Sequence, residues 1–524
     1  NDWLVFDESS VKVNIDSTSA HDGIAANTAT GEGNDTLSGF ENVIGSTSQD
    51  TIYGSDGVNE LQGNSGSDNI YGLDGNDIIY GNADNDYIDG GIGNDELYGG
   101  TGNDSFVTTA GDDVIDGGDD SDTVDYSSVD ASLNVTLGAS GNATVNIDGN
   151  DTLTGIENLR GSNTQDDSIQ GNSENNTLEG LGGDDTLRGE AGNDNLQGGT
   201  GDDRIFAGSG VDNIDGGTDT NGDWLDYSDT SNNINVDLAN KTATGDGDDT
   251  IENIEHLQMG DGDDVVKGNV YNNSLIGGAG NDTLSVAHAT SNVTIDLTDT
   301  TNKNGTTTGS SIGTDTFESF ENFEGSAQND TLNTTAVSNI TFDGAGSSDT
   351  IDYNITDNTD LTVTIDGSNP ITVSDTTNTD TLTSVEVIKT GNGDDIFDVS
   401  STNGIEVLDA GSQTTKDVLR LSGTIDLSSV ELRNFEEIEV ADGDTLTLSA
   451  TDLDDETLTI NTNSTGKVEV IATTTISDHD FGGVTNSGSG SIELIVNNSI
   501  DLTTRDLGPV DSFEVTNGEL TLTE

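Results

Sequence analysis

The sequence predicts an all-β chain: a parallel β-roll or β-helix whose turns stack on one another, continuing at the C-terminal side into a second β-solenoid or a sandwich. Three observations point there. Aspartate recurs at every ninth residue from Asp68 to Asp122, and an apolar side chain stands two residues after each. The stretches between such blocks alternate apolar and polar residues, as in LNVTL and NVTIDL, which is the period of half-buried strands. Only 2 prolines occur, and helical periodicity is almost absent.

Composition bounds what such a chain can meet. Its 524 residues hold 100 acidic and 13 basic side chains, a net charge of -87. That field repels nucleic acid and anionic membrane surfaces, so the natural partners are cations. Hydrophobic residues make up 29% and aromatic residues 4%, a balance typical of disorder unless something neutralises the charge. Without cysteine there are neither disulfides nor thiolate metal sites. No apolar run approaches the ~18 to 20 residues that span a bilayer, and no basic-plus-apolar leader stands at the start. A chain opening on Asn1 is expected to be processed or a fragment.

The nine-residue lattice comes in three blocks. The first holds Asp68, Asp77, Asp86, Asp95, Asp104, Asp113 and Asp122, with Ile70, Ile79, Ile88, Leu97, Phe106, Ile115 and Val124 as apolar partners; the register extends back through Asn59 to Asp50. The second runs from Asp167 through Asn176 to Asp185, Asp194, Asp203 and Asp212, and a shorter third holds Asp264, Asn273 and Asp282. Glycine commonly sits two and five residues before the aspartate, so six residues make a tight turn and three make a short strand with one inward side chain. Two nonapeptides then form one turn of a flattened right-handed coil, and aspartates 18 residues apart stack on one edge. Like charges so stacked would push the coil open. A divalent cation between turns reverses the sign, and carboxylate plus carbonyl oxygens suit Ca²⁺ better than Mg²⁺.

The stretches GGIGNDELY and GGTGNDSFV resemble the GGxGxDxUx nonapeptide of RTX, or haemolysin-type calcium-binding, proteins. The resemblance covers residues 50 to 125, 167 to 217 and 262 to 284. It implies a parallel β-roll with multiple calcium ions between turns, type I secretion, and folding outside the cell. Rival readings of the same residues lack their own requirements. A flexible glycine linker has no reason to keep an apolar residue at every ninth place; a phosphate loop needs a lysine or a following helix; an EF-hand needs a glutamate at its twelfth position and flanking helices. Asp349 and Asp395 stand in degenerate copies of the pattern.

Longer cassettes interleave with the blocks. Strand-like openings begin at Trp3, Thr123, Trp224, Leu284 and Thr350, and related signatures follow: NDTLSGFENV from Asn34, NDTLTGIENL from Asn150, DDTIENIEHL from Asp248, TDTFESFENF from Thr314 and TDTLTSVEVI from Thr379. We expect six segments: 1–122, 123–217, 218–284, 285–349, 350–400 and 401–524. The inserts should continue the coil with longer, calcium-poor turns. The signature glutamate, such as Glu41 or Glu157, reads first as a hydrogen-bonded corner or an exposed charge, with metal ligation as the alternative. After about residue 400 glycine thins and Thr, Ser, Val and Leu alternate, without strong calcium sites.

No catalytic constellation emerges. His21, His256, His288 and His479 are scattered, with no HExxH among them. A polysaccharide-modifying enzyme would need positive charge to meet an anionic sugar, and 13 basic residues argue against it. The function expected is a non-enzymatic, extracellular calcium-binding structural protein. It would assemble with copies of itself or other surface components at the bacterial cell surface or in the matrix. The repeat region of a large adhesin is the alternative, and an ice- or glycan-binding face the third.

Overall fold

In the computed structural model the described residues are 2–449, apart from 7–8, 18, 22–23, 26–27, 32–33, 108–109, 147–148, 357, 368–369, 403 and 414–415, together with the backbone of strands between 459 and 521. The chain divides into two units, Asn1–Gly262 and Asp263–Glu524.

In the first unit each turn of the first block carries two strands of unequal length. Long strands Glu60–Ser65, Ile78–Ala83, Glu96–Thr101 and Val114–Asp119 pair in parallel, with Glu60, Ile78, Glu96 and Val114 in one row. Short strands Thr51–Tyr53, Asn69–Tyr71, Tyr87–Asp89, Ser105–Val107 and Thr123–Asp125 form the other sheet, also in parallel. Both ladders step by 18 residues, so two nonapeptides make a turn as the spacing requires. The lattice did not announce the inequality of the strands. It arises where residues such as Gly100 and Thr101 extend the pairing to Gly118 and Asp119 on one face only.

One apolar side chain per nonapeptide fills the interior. Leu61, Ile70, Ile79, Ile88, Leu97, Phe106, Ile115 and Val124 are all 0% exposed. The second block repeats the plan, with long strands Thr177–Gly182, Asn195–Thr200 and Asn213–Thr218 and short strands Ser168–Gln170, Thr186–Arg188, Arg204–Phe206 and Trp224–Asp226.

The cassette inserts do more than lengthen turns. Each adds an antiparallel strand before its signature. In the first unit these are Thr28–Thr30, Ala143–Val145 and Thr242–Thr244, each paired antiparallel to the strand at the start of a signature. In the second unit Asn304–Gly309 lies antiparallel between Thr294–Asp299 and Gly313–Glu318, and Ile371–Ser374 between Thr362–Ile365 and Thr379–Thr383. The outer strands of these hairpins pair in parallel with the coil, as Thr362 with Ile396 and Thr381 with Thr341. Left-handed residues, Lys241 in one hairpin and Lys303 in another, let the chain reverse tightly. The expectation of longer turns alone is therefore corrected.

Within the second unit the C-terminal part is a solenoid rather than a sandwich. Strands Ile396–Val399, Val418–Leu421, Glu437–Val440 and Thr459–Thr462 stack in parallel on one face. On another, Thr424–Asp426, Thr445–Ser449, Lys467–Ala472, Ser491–Val496 and Ser512–Val515 do the same. His479 lies outside the described residues.

With so few apolar residues per turn, each should matter. Leu97→Ala, at 0% exposure, should lower stability by about 2–5 kcal/mol in a urea titration at saturating calcium. Val114→Ala, at 41% exposure on an outward strand position, should change it by less than about 0.5 kcal/mol. Equal effects at both positions would contradict the assigned interior.

Candidate metal centres

The turns place their aspartates in columns. Asp50 donates its backbone N–H to Asp68 Oδ1, Asp68 to Asp86, Asp86 to Asp104 and Asp104 to Asp122, at 2.7 to 2.8 Å. A second column runs from Asn59 through Asp77 and Asp95 to Asp113 in the same way. The second block builds Asp167, Asp185 and Asp203 into one column and Asn176, Asp194 and Asp212 into another. In the second unit Asp264 donates to Asp282. One carboxylate oxygen of each aspartate thus holds the preceding turn.

The other oxygen is left over. Oδ2 of Asp68, Asp77, Asp86, Asp95, Asp104, Asp122, Asp185, Asp194, Asp203, Asp212 and Asp282 is buried without a hydrogen-bond partner. An ionised carboxylate so placed is costly unless something meets it. The glycine five residues earlier shows what the space is for. A Cβ built on Gly81 would lie 2.3 Å from Asp86 Oδ2 and 2.8 Å from the carbonyl oxygen of Gly99 in the next turn; on Gly198 it would lie 2.2 Å from Asp203 Oδ2 and 2.5 Å from the Gly216 carbonyl. Carboxylate and carbonyl oxygens converge on a cradle that any side chain would fill. A hard cation with oxygen ligands answers both.

Comparison with protein-family profiles matches the RTX calcium-binding nonapeptide repeat at residues 38–68, 62–97, 98–129, 162–196, 188–222 and 260–286. The chain carries RTX calcium-binding repeats. No curated protein matches the chain in a sequence comparison. The RTX matches span the three blocks, and their calcium chemistry fits the orphaned oxygens and glycine cradles just described.

The RTX columns begin and end on hydrogen bonds to other protein groups. Asp50 accepts from the N–H of Val11 on one oxygen and of Ser46 on the other; Asp167 accepts from Leu133 and Ser162 likewise. These two sequence-assigned residues therefore differ from the aspartates with an orphaned Oδ2, because serine four or five positions earlier supplies the missing donor. Asn59 and Asn176 open the other columns. Each accepts through Oδ1 from the residue four earlier and donates Nδ2–H to the backbone carbonyl of a signature glutamate, Glu41 or Glu157.

At the far ends stand the cassette signatures. Glu157 accepts the N–H of Asp122, Glu321 that of Asp282, and Glu386 that of Asp349. The glutamate is the hydrogen-bonded corner that the sequence suggested. Asp113 and Asp212 end instead on signature aspartates, Asp151 and Asp249, whose second oxygens accept from Tyr126 at 3.4 Å and Tyr227 at 3.1 Å. A buried tyrosine hydroxyl does there what an ion does inside the column.

Further aspartates lie outside the strict lattice, Asp349 and Asp395 in its degenerate copies and Asp223 and Asp417 beyond any copy the sequence showed. Asp223, Asp349, Asp395 and Asp417 also bury an unpartnered Oδ2. Their links span 20, 19 and 22 residues, for Asp203 to Asp223, Asp330 to Asp349 and Asp395 to Asp417. Glu436, in an FEE stretch at 435–437 that is similar to the cassette signatures, caps Asp417. The C-terminal region is therefore less bare of such oxygens than its composition suggested.

Burial dominates the titration of these groups. It pushes Asp86 up to about 8, helped by the charges of Asp68 and Asp104 and opposed by the Asp68 N–H. Asp77, Asp95 and Asp185 rise to about 7 and Asp203 to about 6, again chiefly through desolvation. A carboxyl raised in the folded state makes that state bind more protons than the unfolded chain between about pH 4 and pH 7, so metal-free stability falls as pH rises through that window. Calcium binds the ionised form and acts in the opposite direction.

Two outcomes are expected. In chelator, far-ultraviolet circular dichroism should gain β-structure as pH is lowered from about 8 to about 4, and a chelated chain equally unstructured at both would contradict the burial argument. Gly81→Ala should weaken calcium binding in a calorimetric titration, since its Cβ meets Asp86 Oδ2 and the Gly99 carbonyl, whereas Gly57→Ala, 3.9 Å from its nearest neighbour, should leave it unchanged.

Proposed function

We propose that the chain is a secreted structural protein that folds on calcium outside the cell and assembles with copies of itself or other components at the bacterial surface or in its matrix. The observation that carries this reading is the pairing of buried, unpartnered carboxylate oxygens with a coil that occupies most of the described chain. In calcium-poor cytoplasm the carboxylates repel and the chain stays extended and exportable. Outside, each ion offsets the charge of adjacent turns and joins them. RTX proteins are typically exported by type I secretion, which agrees with that sequence of events.

The reading assigns the chain no catalysis. His21 sits 3.0 Å from Asp16, and His256 holds the Asn221 carbonyl at 2.9 Å, both within local corners of the fold. Polar residues and charges occupy most outward strand positions, so regular contact between copies would rest on polar pairing and shared cations rather than on apolar burial.

Electron microscopy of purified protein decides between assembly and a stalk. Ordered sheets or fibres that form with calcium and dissolve in chelator are expected. Dispersed rods at the same calcium concentration would favour the repeat region of an adhesin instead.

A further inference from the structure

We propose that Asp219, Asp223 and Glu255 form a separate divalent-cation site, of Ca²⁺ type, that closes the second block. One carboxylate oxygen from each lies within 4.8 Å of the other two. Asp223 is 0% exposed, and its Oδ2 has no hydrogen-bond partner. Its remaining groups are committed: Oδ1 accepts the N–H of Asp203 at 2.7 Å, and its own N–H reaches Glu255 Oε2 at 3.1 Å. That bond holds one oxygen of the glutamate against the backbone of Asp223.

A carbonyl converges on the same place. A Cβ built on Gly216 would stand 2.6 Å from Asp223 Oδ2 and 2.1 Å from the backbone oxygen of Asn253. Asn253 and Glu255 belong to the cassette signature, and Asp219 to the loop before Asp223, so the donors come from outside the nonapeptide motif. What admits Asp219 is a longer loop. The link from Asp203 to Asp223 spans 20 residues where its predecessor from Asp185 to Asp203 spans 18. In the first block Asp122 and Glu157 meet by the same N–H bond, yet among the described residues no third carboxylate joins them. Three carboxylates and a carbonyl, all hard oxygens, select Ca²⁺ over softer metals. The site stands whether or not the protein assembles into a lattice.

Trp224, the neighbour of Asp223, gives the test its readout. The full chain is loaded with calcium and ions per chain are counted by native mass spectrometry; in parallel, Tb³⁺ replaces calcium and its emission is excited through tryptophan. Asp219→Asn, an exposed position, should keep the circular dichroism spectrum, lose one calcium per chain and lose most of the sensitised emission. Glu255→Gln should do the same, since its amide oxygen can still accept the Asp223 N–H. Trp224→Phe should abolish that emission while the calcium count stays at the wild-type value. An Asp219→Asn chain with the full wild-type count overturns the site. A wild-type chain that binds no calcium would overturn the calcium reading of the blocks as well, which separates the two failures.

Discussion

The structure depends on a bond that every turn makes twice over: an aspartate carboxylate shared between the backbone N–H of the preceding turn and whatever meets its other oxygen. The first half is intrinsic to the chain and appears at nearly every step from Asp50 to Asp122. The second half is not. Stacking turns buries Asp86 between the charges of Asp68 and Asp104 and raises its carboxyl to about 8, so at neutral pH the chain must take up either protons or cations to stay wound. A net charge of -87 makes the same demand on the whole molecule.

Apolar burial could not carry the fold in place of that neutralisation. Each nonapeptide offers one fully buried apolar residue, worth about 1.5–3 kcal/mol, against an ordering cost of about 1–2 kcal/mol for every residue's backbone. The sheet ladders and the ions must supply the balance, so the winding of such a coil follows the cation concentration around it. Because each turn touches its neighbours in sequence, loss of one site weakens the turns beside it more than those far away.

Much of this was legible in the sequence, and what was not has a common cause. The lattice exposes the inward residue, the stacked aspartate and the cradle glycine, since all three recur at fixed distance in the strict blocks. It fails where a loop changes length. Asp223 is displaced by two residues and Asp417 by four from an 18-residue step, yet both land in the column, because the coil tolerates a bulging edge so long as the strands keep register. Hairpins such as Asn304–Gly309 were hidden for a different reason: alternating Thr-rich segments read as strands without telling the direction in which they run.

The ends of the columns explain why the chain is divided into blocks at all. A ladder of carboxylates has no natural stop, since its last aspartate always presents a free N–H to a turn that is not there. Glu157 and Glu321 supply that missing acceptor, while at the opposite end a serine N–H donates to the first aspartate, or an asparagine stands in its place and donates its own Nδ2–H to a backbone carbonyl. The tyrosine of Tyr126 and Tyr227 completes the neighbouring column with a hydroxyl. Each cassette is therefore a terminator and a starter in one, closing the hydrogen-bonded column of one block and opening that of the next. Calcium then acts on each block as a bounded unit, because the last N–H of a column meets a cassette carboxylate instead of an empty turn.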